Sequence, residues 1–199
     1  MCASAKNISN NPMSNRNIYA TLGASNHSAT QREPHDLYCT HPEAVKQLMK
    51  LEQFSPEILE PCAGLGHIAD TLRQGGYMVR ESDLLTRGRD ILQVDVFSLD
   101  SPITCDIVTN PPYSCATKII RHLLSLMQPG TKLAMWLRIL FLESAERKRL
   151  FEEFPPIRVW ISSRRIPCGK NGEFRASAQG YGWYIWKKGH EGTTSLGWF

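Results

Sequence analysis

The sequence lacks the features of a secreted, membrane-spanning or zinc-binding protein. Its six cysteines form no C-x-x-C pair and no cluster with histidine at zinc-ligand spacing. No basic segment followed by an apolar stretch opens the chain. The longest apolar run, residues 133–142, is interrupted by Arg138 and is too short to span a bilayer. We therefore expect a cytoplasmic protein with reduced thiols, no metal ion and no membrane contact.

The sequence also has no large excess of one charge, although its basic residues are unevenly placed. The net charge is +4. Residues 1–137 hold 12 Lys and Arg against 13 Asp and Glu, whereas residues 138–199 hold 11 against 6. A basic last third favours a polyanionic partner that approaches this part of the chain. A solvated basic face explains the same charge equally well.

Length and composition indicate one globular domain with a polar leading segment. At 199 residues, 42% of them hydrophobic, the chain can bury a sizeable core. Residues 1–17 are rich in Ser, Asn and Ala, which predicts a disordered tail. Periodicity decides nothing for residues 18–36. The single domain is expected to extend over residues 18–199.

Strands and helices alternate along most of the chain. The predicted helices are one that begins near Pro42, with Thr40 as its cap, and those over 67–74, 117–127 and 143–154. The predicted strands are 57–60, 77–81, 91–94, 106–109, 132–137, 157–161 and 181–186. This alternation predicts an α/β fold with a mostly parallel sheet covered on both faces, and its final two strands predict an antiparallel pair at the edge.

One short apolar strand leads directly into the corner Asn110-Pro111-Pro112-Tyr113. Proline lacks the ladder donor and fixes its own φ, so the chain must turn there. The Asn110 side-chain oxygen and the Pro111 carbonyl are two acceptors suited to a planar amino group, and Tyr113 offers a face for stacking. Two such acceptors would push electron density back onto an otherwise delocalised amine. An ordinary turn before a helix is the alternative interpretation.

A strand, a glycine turn and a helix occur earlier in the chain. The strand ends at Glu60, and Gly64 and Gly66 follow before the helix, so backbone N–H groups can approach a ligand there. Asp83 ends the next strand 19 residues after Gly64, where an acid commonly holds ribose hydroxyls. Gly64, Gly66 and Ala69 also match a dinucleotide fingerprint. That match is weak, because three small residues recur by chance and a carboxylate at Glu60 would repel a pyrophosphate.

Asp95 begins a loop after the third predicted strand. Its carboxylate is suited to accept a hydrogen bond from an adenine amino group, with Phe97 or Leu84 against the ring. A surface aspartate at the start of a loop is an equally good interpretation.

A predicted loop of 19 residues, 162–180, separates the last two strands. Loops of this length in compact domains are usually functional or disordered. It carries Arg164, Arg165 and Lys170 among glycines and small polar residues. We expect these cations to bind phosphate groups.

The segments Glu60–Gly66, Asp83 and Asn110–Tyr113, in this order and spacing, resemble the S-adenosylmethionine-dependent amino methyltransferases of the Rossmann-like class. From about Tyr19 onward, the chain is more closely similar to the small DNA adenine N6-methyltransferases of bacteriophages and prophages. The blocks that carry this closer resemblance are 21–28, 38–44, 141–143, 163–166 and 181–186. The resemblance implies a class I methyltransferase fold with a mostly parallel seven-stranded sheet and an antiparallel edge strand. It also implies adenine methylation in the cytoplasm of a bacterial or phage-infected cell.

The resemblance also implies a role for each residue of the two motifs. Glu60, Gly64 and Gly66 would line the methionine portion of S-adenosyl-L-methionine, Asp83 the ribose and Asp95 the adenine. Tyr38 and Thr40 match the leading cofactor-contacting segment of such enzymes, although His41 departs from the usual small residue or proline. Asn110, Pro111, Pro112 and Tyr113 would be the catalytic corner.

Several substrates remain open at this stage. DNA is favoured over RNA adenine, although no segment is long enough for a separate target-recognition domain. A protein glutamine amide would suit the same corner, but the enzymes that act on it carry a helical domain ahead of the corner, whereas the segment here is short and polar. A nucleotide- or DNA-binding module without methyl transfer and a small dehydrogenase are the remaining alternatives.

Overall fold

A computed structural model of the chain describes residues 37–170, 173–175 and 179–199. The predicted disordered tail, 1–17, and residues 18–36 lie outside the described residues. The helices are α1 (Pro42–Leu51), α2 (His67–Gln74), α3 (Ala116–Leu126) and α4 (Ala145–Glu153), with short 3-10 helices at Val96–Ser98 and Ile139–Leu142. The strands are β1 (Tyr38–Thr40), β2 (Glu57–Glu60), β3 (Met78–Asp83), β4 (Leu92–Gln93), β5 (Asp106–Thr109), β6 (Lys132–Arg138), β7 (Arg158–Ile161), β8 (Cys168–Lys170), β9 (Glu173–Arg175), β10 (Tyr181–Lys187) and β11 (Ser195–Trp198).

The main sheet has the order β11-β7-β10-β6-β5-β2-β3-β4. Its pairings are parallel except those of β10, which runs antiparallel to β6 and to β7. The predicted α/β class, the mostly parallel sheet and the antiparallel pairing towards one edge are therefore confirmed. The strand count is eight rather than seven, because β11 adds to the outside of β7. A side chain at Gly197 would collide with the Trp160 ring, so glycine allows this last pairing.

Helices cover both faces of the main sheet. Alternate residues of β6 point to opposite faces, so Leu133 belongs to one apolar core and Trp136 to the other. The first core includes Ile120 of α3 and Leu150 of α4, and the second includes Leu48 of α1. The core residues of both faces are fully or almost fully buried. This packing fixes the sheet, and with it the loops at the carboxyl ends of its strands.

Some predicted boundaries differ from those of the structure. Thr40 does not cap α1, because it ends β1; the cap is His41, whose Nδ1 accepts from the backbone N–H of Glu43 at 3.1 Å. The predicted helix 143–154 begins at Ala145, where Ser144 caps it. The strand predicted over 91–94 is confined to the two residues of β4.

The predicted loop 162–180 contains β8 and β9 and therefore is not a loop throughout. These two strands pair with each other, and β8 pairs with β1, which gives a second, three-stranded sheet. We refer to β1, β8 and β9 as the small sheet. Gly169 lies opposite Cys39, and a side chain on Gly169 would meet the Cβ of Cys39 at 2.4 Å. Glycine therefore lets the two strands approach closely.

Candidate active site

A cavity opens where β2, β3 and β5 end. Parallel strands present their carboxyl ends at one edge of a sheet, and ligands of such sheets bind there. Eight residues predicted as cofactor-binding or catalytic line this cavity: Tyr38, Thr40, Glu60, Gly64, Asp83, Asp95, Asn110 and Pro112. Gly66, Pro111 and Tyr113 are not among its lining residues. The fold therefore brings together most of a set that is scattered over the sequence.

The small sheet fixes the orientation of the Asn110 side chain. Its Nδ2 donates to the backbone carbonyl of Tyr38 at 2.6 Å and to Oγ1 of Thr40 at 3.0 Å. A carbonyl oxygen only accepts, so the nitrogen of the amide must face β1. The Asn110 Oδ1 is buried and has no hydrogen-bond partner in the structure. An acceptor is thus held in place for a donor that the described residues do not supply.

The rest of the corner turns the chain into α3. Pro111 is buried, and the carbonyl of Pro112 accepts from the backbone N–H of Cys115 at 3.2 Å. The Tyr113 ring stacks on that of Tyr38, with centroids 5.6 Å apart and an interplanar angle of 19°. Tyr113 therefore stands beside the cavity, in an aromatic cluster at the same strand ends.

The turn after β2 is tied to the end of β3. Gly64 has a φ of +56°, which favours glycine, and its N–H donates to Oδ2 of Asp83 at 2.9 Å. The other oxygen of Asp83 accepts from the backbone N–H of Leu85. Gly66 caps α2 with a φ of +82°, and the Arg89 guanidinium occupies the space that a side chain at this position would need. In this structure Gly66 thus makes room for Arg89.

Glu60 is a buried carboxyl group in the cavity wall, only 1% exposed. Its Oε2 has no hydrogen-bond partner. Burial, together with the nearby charges of Glu81 and Asp70, raises the pKa of Glu60 well above its ordinary value, although a backbone N–H and Arg89 act in the opposite direction. A ligand with a cationic group beside Glu60 would favour the ionised carboxylate.

Asp95 and two apolar side chains line another part of the cavity. Oδ1 of Asp95 accepts from the backbone N–H of Phe97 at 2.9 Å and so caps a short 3-10 helix. Phe97 and Leu84 are 43% and 52% exposed and also line the cavity. Exposed apolar groups beside a carboxylate suit a flat ring that carries an amino group.

The basic segment lies at the same edge of the sheet. Arg164 and Arg165 are exposed and follow the carboxyl end of β7, which runs in the same direction as β5. Neither arginine lines the cavity. Lys170 belongs to β8, and its side chain is outside the described part of the structure. Phe174 of β9 packs edge-on against the ring of His67, a cavity residue, with centroids 5.2 Å apart. The small sheet therefore stands beside the cavity.

Several site residues are not evident from the sequence. Cys62, His67 and Cys115 line the cavity, and burial raises the pKa of the Cys62 thiol. The guanidinium of Arg138 lies over the Tyr113 ring, 4.9 Å from its centroid. Cys62 lies within the Glu60–Gly66 segment, whereas no local pattern indicates His67, Cys115 or Arg138.

No group of three or more potential metal ligands occurs among the residues that the structure describes. Over the same ranges, no helix is long and apolar enough to cross a bilayer.

Three of the solved structures similar to this chain illustrate the fold. The type IIG restriction endonuclease BpuSI has a TM-score of 0.60 at 18% identity, with 85% of this chain and 27% of that chain covered. The type I restriction enzyme EcoKI M protein has a TM-score of 0.52 at 12% identity, covering 77% of this chain and 44% of that one. An S-adenosylmethionine-dependent O-methyltransferase from Thermotoga maritima has a TM-score of 0.52 at 14% identity, covering 77% and 68%. No protein-family model and no curated sequence matches the chain.

These likenesses show the fold, a Rossmann-like methyltransferase fold, which the resemblance in sequence implied. The chain spans less than half the length of either restriction protein.

Proposed function

We propose that the protein is an S-adenosyl-L-methionine-dependent methyltransferase that methylates the N6 amine of adenine in DNA. The observation that carries this proposal is the acceptor at Asn110. Its Oδ1 is buried, unpartnered and fixed in orientation at the end of β5, in the wall of a cavity. A buried acceptor without a donor costs free energy, so a fold that retains one indicates that a ligand supplies the donor.

The cavity fits S-adenosyl-L-methionine in its chemistry. Glu60 would hold the cationic methionine portion next to the Gly64 turn, Asp83 would take the ribose hydroxyls, and Asp95 and Phe97 would contact the adenine. When bound, this cofactor supplies an electrophilic methyl group on a positively charged sulfur. Glu60, Gly64, Asp83 and Asp95, which the resemblance implied as cofactor ligands, all line this cavity, and this supports the proposal.

The corner activates and positions the substrate amine. Asn110 Oδ1 and the Pro111 carbonyl would accept the two amine hydrogens, which raises electron density on the nitrogen. Tyr113 would pack against the base, which must leave its helical stack to reach the cavity. The amine nitrogen gives up a proton to solvent as the product forms. Catalysis then depends on position and on two acceptors.

Two observations favour DNA over a protein amide. The basic residues of the last third of the chain include Arg164 and Arg165, which lie at the same edge of the sheet as Asn110. Two of the similar structures are restriction enzymes by name. RNA adenine is the second candidate substrate, because its amine and its phosphates would meet the same groups.

Transfer of a tritiated methyl group tests the proposal directly. The purified protein is incubated with labelled cofactor in three separate reactions, which contain genomic DNA, total RNA or a protein extract. Label on DNA that digests to N6-methyl-2′-deoxyadenosine is the expected result. Label only on RNA or only on protein would show that this molecule is the substrate. No label on any of the three would contradict the methyltransferase assignment.

Replacing Thr40 with valine is expected to lower kcat by about tenfold, the effect of losing one hydrogen bond to a catalytic group. The hydroxyl is one of two acceptors that hold the Asn110 amide. The dissociation constant of the cofactor should change less than threefold, and Thr40→Ser should restore kcat.

Thr71→Val is the matched control, because Thr71 is also buried and its hydroxyl donates to a carbonyl within α2. Weaker cofactor binding with an unchanged kcat in Thr40→Val would show that Thr40 contacts the cofactor instead.

Neutralising Arg164 and Arg165 together as glutamine is expected to weaken DNA binding and reduce its dependence on salt. Each lost phosphate contact lowers the slope of log K against log salt by about 0.9, so the slope should fall by up to about 1.8. Fluorescence anisotropy over a range of NaCl concentrations measures this slope. Lys148→Gln with Arg149→Gln removes the same charge from exposed positions on α4 and should leave the slope unchanged. Equal slopes for the two double variants would exclude a phosphate contact at Arg164 and Arg165.

A further inference from the structure

Arg138 is a half-buried cation at the substrate side of the site. It ends β6, next to β5, and its guanidinium lies 4.9 Å from the centroid of Tyr113 and 5.7 Å from that of Tyr38. Its side chain also donates a hydrogen bond to the hydroxyl of Tyr181. Three tyrosines thus surround the guanidinium beside the corner that Asn110 begins.

No carboxylate pairs with Arg138 among the residues that the structure describes. Its Nε is buried and has no hydrogen-bond partner. Five of the other arginines in the described part of the chain do have a carboxylate partner. Those with a carboxylate within 4.0 Å are Arg73, Arg80, Arg89, Arg121 and Arg158.

A partly buried guanidinium without an anion is costly, because burial removes water that the hydrogen bond to Tyr181 replaces only in part. Aromatic faces compensate only in part. The arrangement is therefore suited to bind an anion. The position of Arg138 restricts the kind of anion that can reach it. The anion must lie beside the Tyr113 ring and near the free acceptor of Asn110. A nucleotide carries a phosphate on the sugar of the same base that presents the amine, and a guanidinium matches phosphate with two parallel hydrogen bonds.

We propose that Arg138 binds a backbone phosphate adjoining the target adenine, an assignment that rests on the proposed function. Arg138 then positions the nucleotide while Asn110 holds its amine. The contact selects a nucleic acid over a protein glutamine, since a glutamine side chain offers no phosphate. It also places the phosphate contact next to the reacting base, separate from those expected at Arg164 and Arg165.

A protein–DNA double-mutant cycle tests the assignment. Two duplexes that contain one unmethylated target adenine are compared: one with natural phosphates, and one with neutral methylphosphonates at the two linkages that flank this adenine. With the wild-type protein, the methylphosphonates are expected to raise KM by about tenfold or more, the effect of losing a charge-assisted hydrogen bond. Arg138→Gln should raise KM on the natural duplex by a similar factor, with kcat changed less than threefold. On the methylphosphonate duplex this variant should show no further loss.

The control variant is Arg121→Gln, which removes another arginine that lies over an aromatic ring, that of Phe154. It should retain the full wild-type response to methylphosphonate. An equal response in Arg138→Gln and in the wild type would overturn the phosphate assignment and leave Arg138 as a support for Tyr113. Failure of the wild type to methylate any DNA would instead overturn the proposed function, and this assignment with it. Cofactor binding and the melting temperature of each variant show whether it is folded.

Discussion

Replacing Asn110 with alanine is expected to lower kcat by about 10² to 10³, the usual effect of removing one preorganised group that stabilises a transition state. The substitution deletes the buried Oδ1, which is the proposed acceptor for the substrate amine. The dissociation constant of the cofactor, measured by calorimetry, should stay within about threefold of the wild-type value, because the acceptor serves the substrate.

Asn110→Asp tests the acceptor oxygen separately from the hydrogen bonds that Nδ2 donates to hold the side chain in place. An aspartate keeps an oxygen for the amine but loses the donor that binds the Tyr38 carbonyl at 2.6 Å. Its kcat should therefore lie between those of the wild type and the alanine variant. Loss of cofactor binding in either variant would show that Asn110 belongs to the cofactor site. A wild-type kcat in Asn110→Ala would show that the Asn110 side chain has no part in catalysis.

Replacing Glu60 with glutamine is expected to weaken cofactor binding by about 30-fold or more, because a buried charge pairing with a cation is lost. The same change should stabilise the ligand-free protein. The folded-state pKa of Glu60 is raised above its ordinary value of 4.5. The contribution of Glu60 to the free energy of unfolding is therefore fully present below about pH 4.5. It is lost as the pH rises from there through the folded-state pKa. Glutamine does not titrate, so the variant should lose less stability over this range.

Calorimetry in buffers of different ionisation enthalpy measures the protons that Glu60 releases. If the cofactor favours the ionised carboxylate, binding should release protons from the wild type and none from Glu60→Gln. Glu57→Gln is the control, since Glu57 lies on the same strand, is partly exposed and pairs with Arg80. Equal proton release and equal affinity in the wild type and in Glu60→Gln would show that the cationic portion of the cofactor does not bind beside Glu60.

Local patterns allowed much of the main sheet to be predicted. β2, the glycine turn and α2 follow one another along the chain, as do β5, the proline corner and α3. In each case hydrophobic periodicity and a strong turn signal act within about a dozen residues. The strand-end positions of Glu60, Asp83 and Asn110 then follow from the geometry of parallel sheets.

The elements that the sequence did not reveal depend on distant pairing. β1 and β8 have three residues each, too few for a periodicity, and they are adjacent only after the main sheet has formed. β11 includes Gly197, and glycine is unfavourable within a strand. Here it is required, because the Trp160 ring occupies the space of a side chain. The sequence predicts Thr40 as a helix cap and does not reveal its hydrogen bond to Asn110, because the two residues are 70 positions apart. Arg138 has no motif, since only the fold brings it over Tyr113.

The small sheet is expected to open on heating before the main sheet does. Short strands with few hydrogen bonds open at a lower free energy than a buried central sheet. When β1 separates, Asn110 loses the two acceptors of its Nδ2, and its amide can rotate so that nitrogen replaces oxygen in the cavity. Heat inactivation should therefore begin below the melting temperature of the main sheet and reverse on cooling. If the protein has the proposed activity, we therefore expect a three-residue strand outside the main sheet to set its temperature limit.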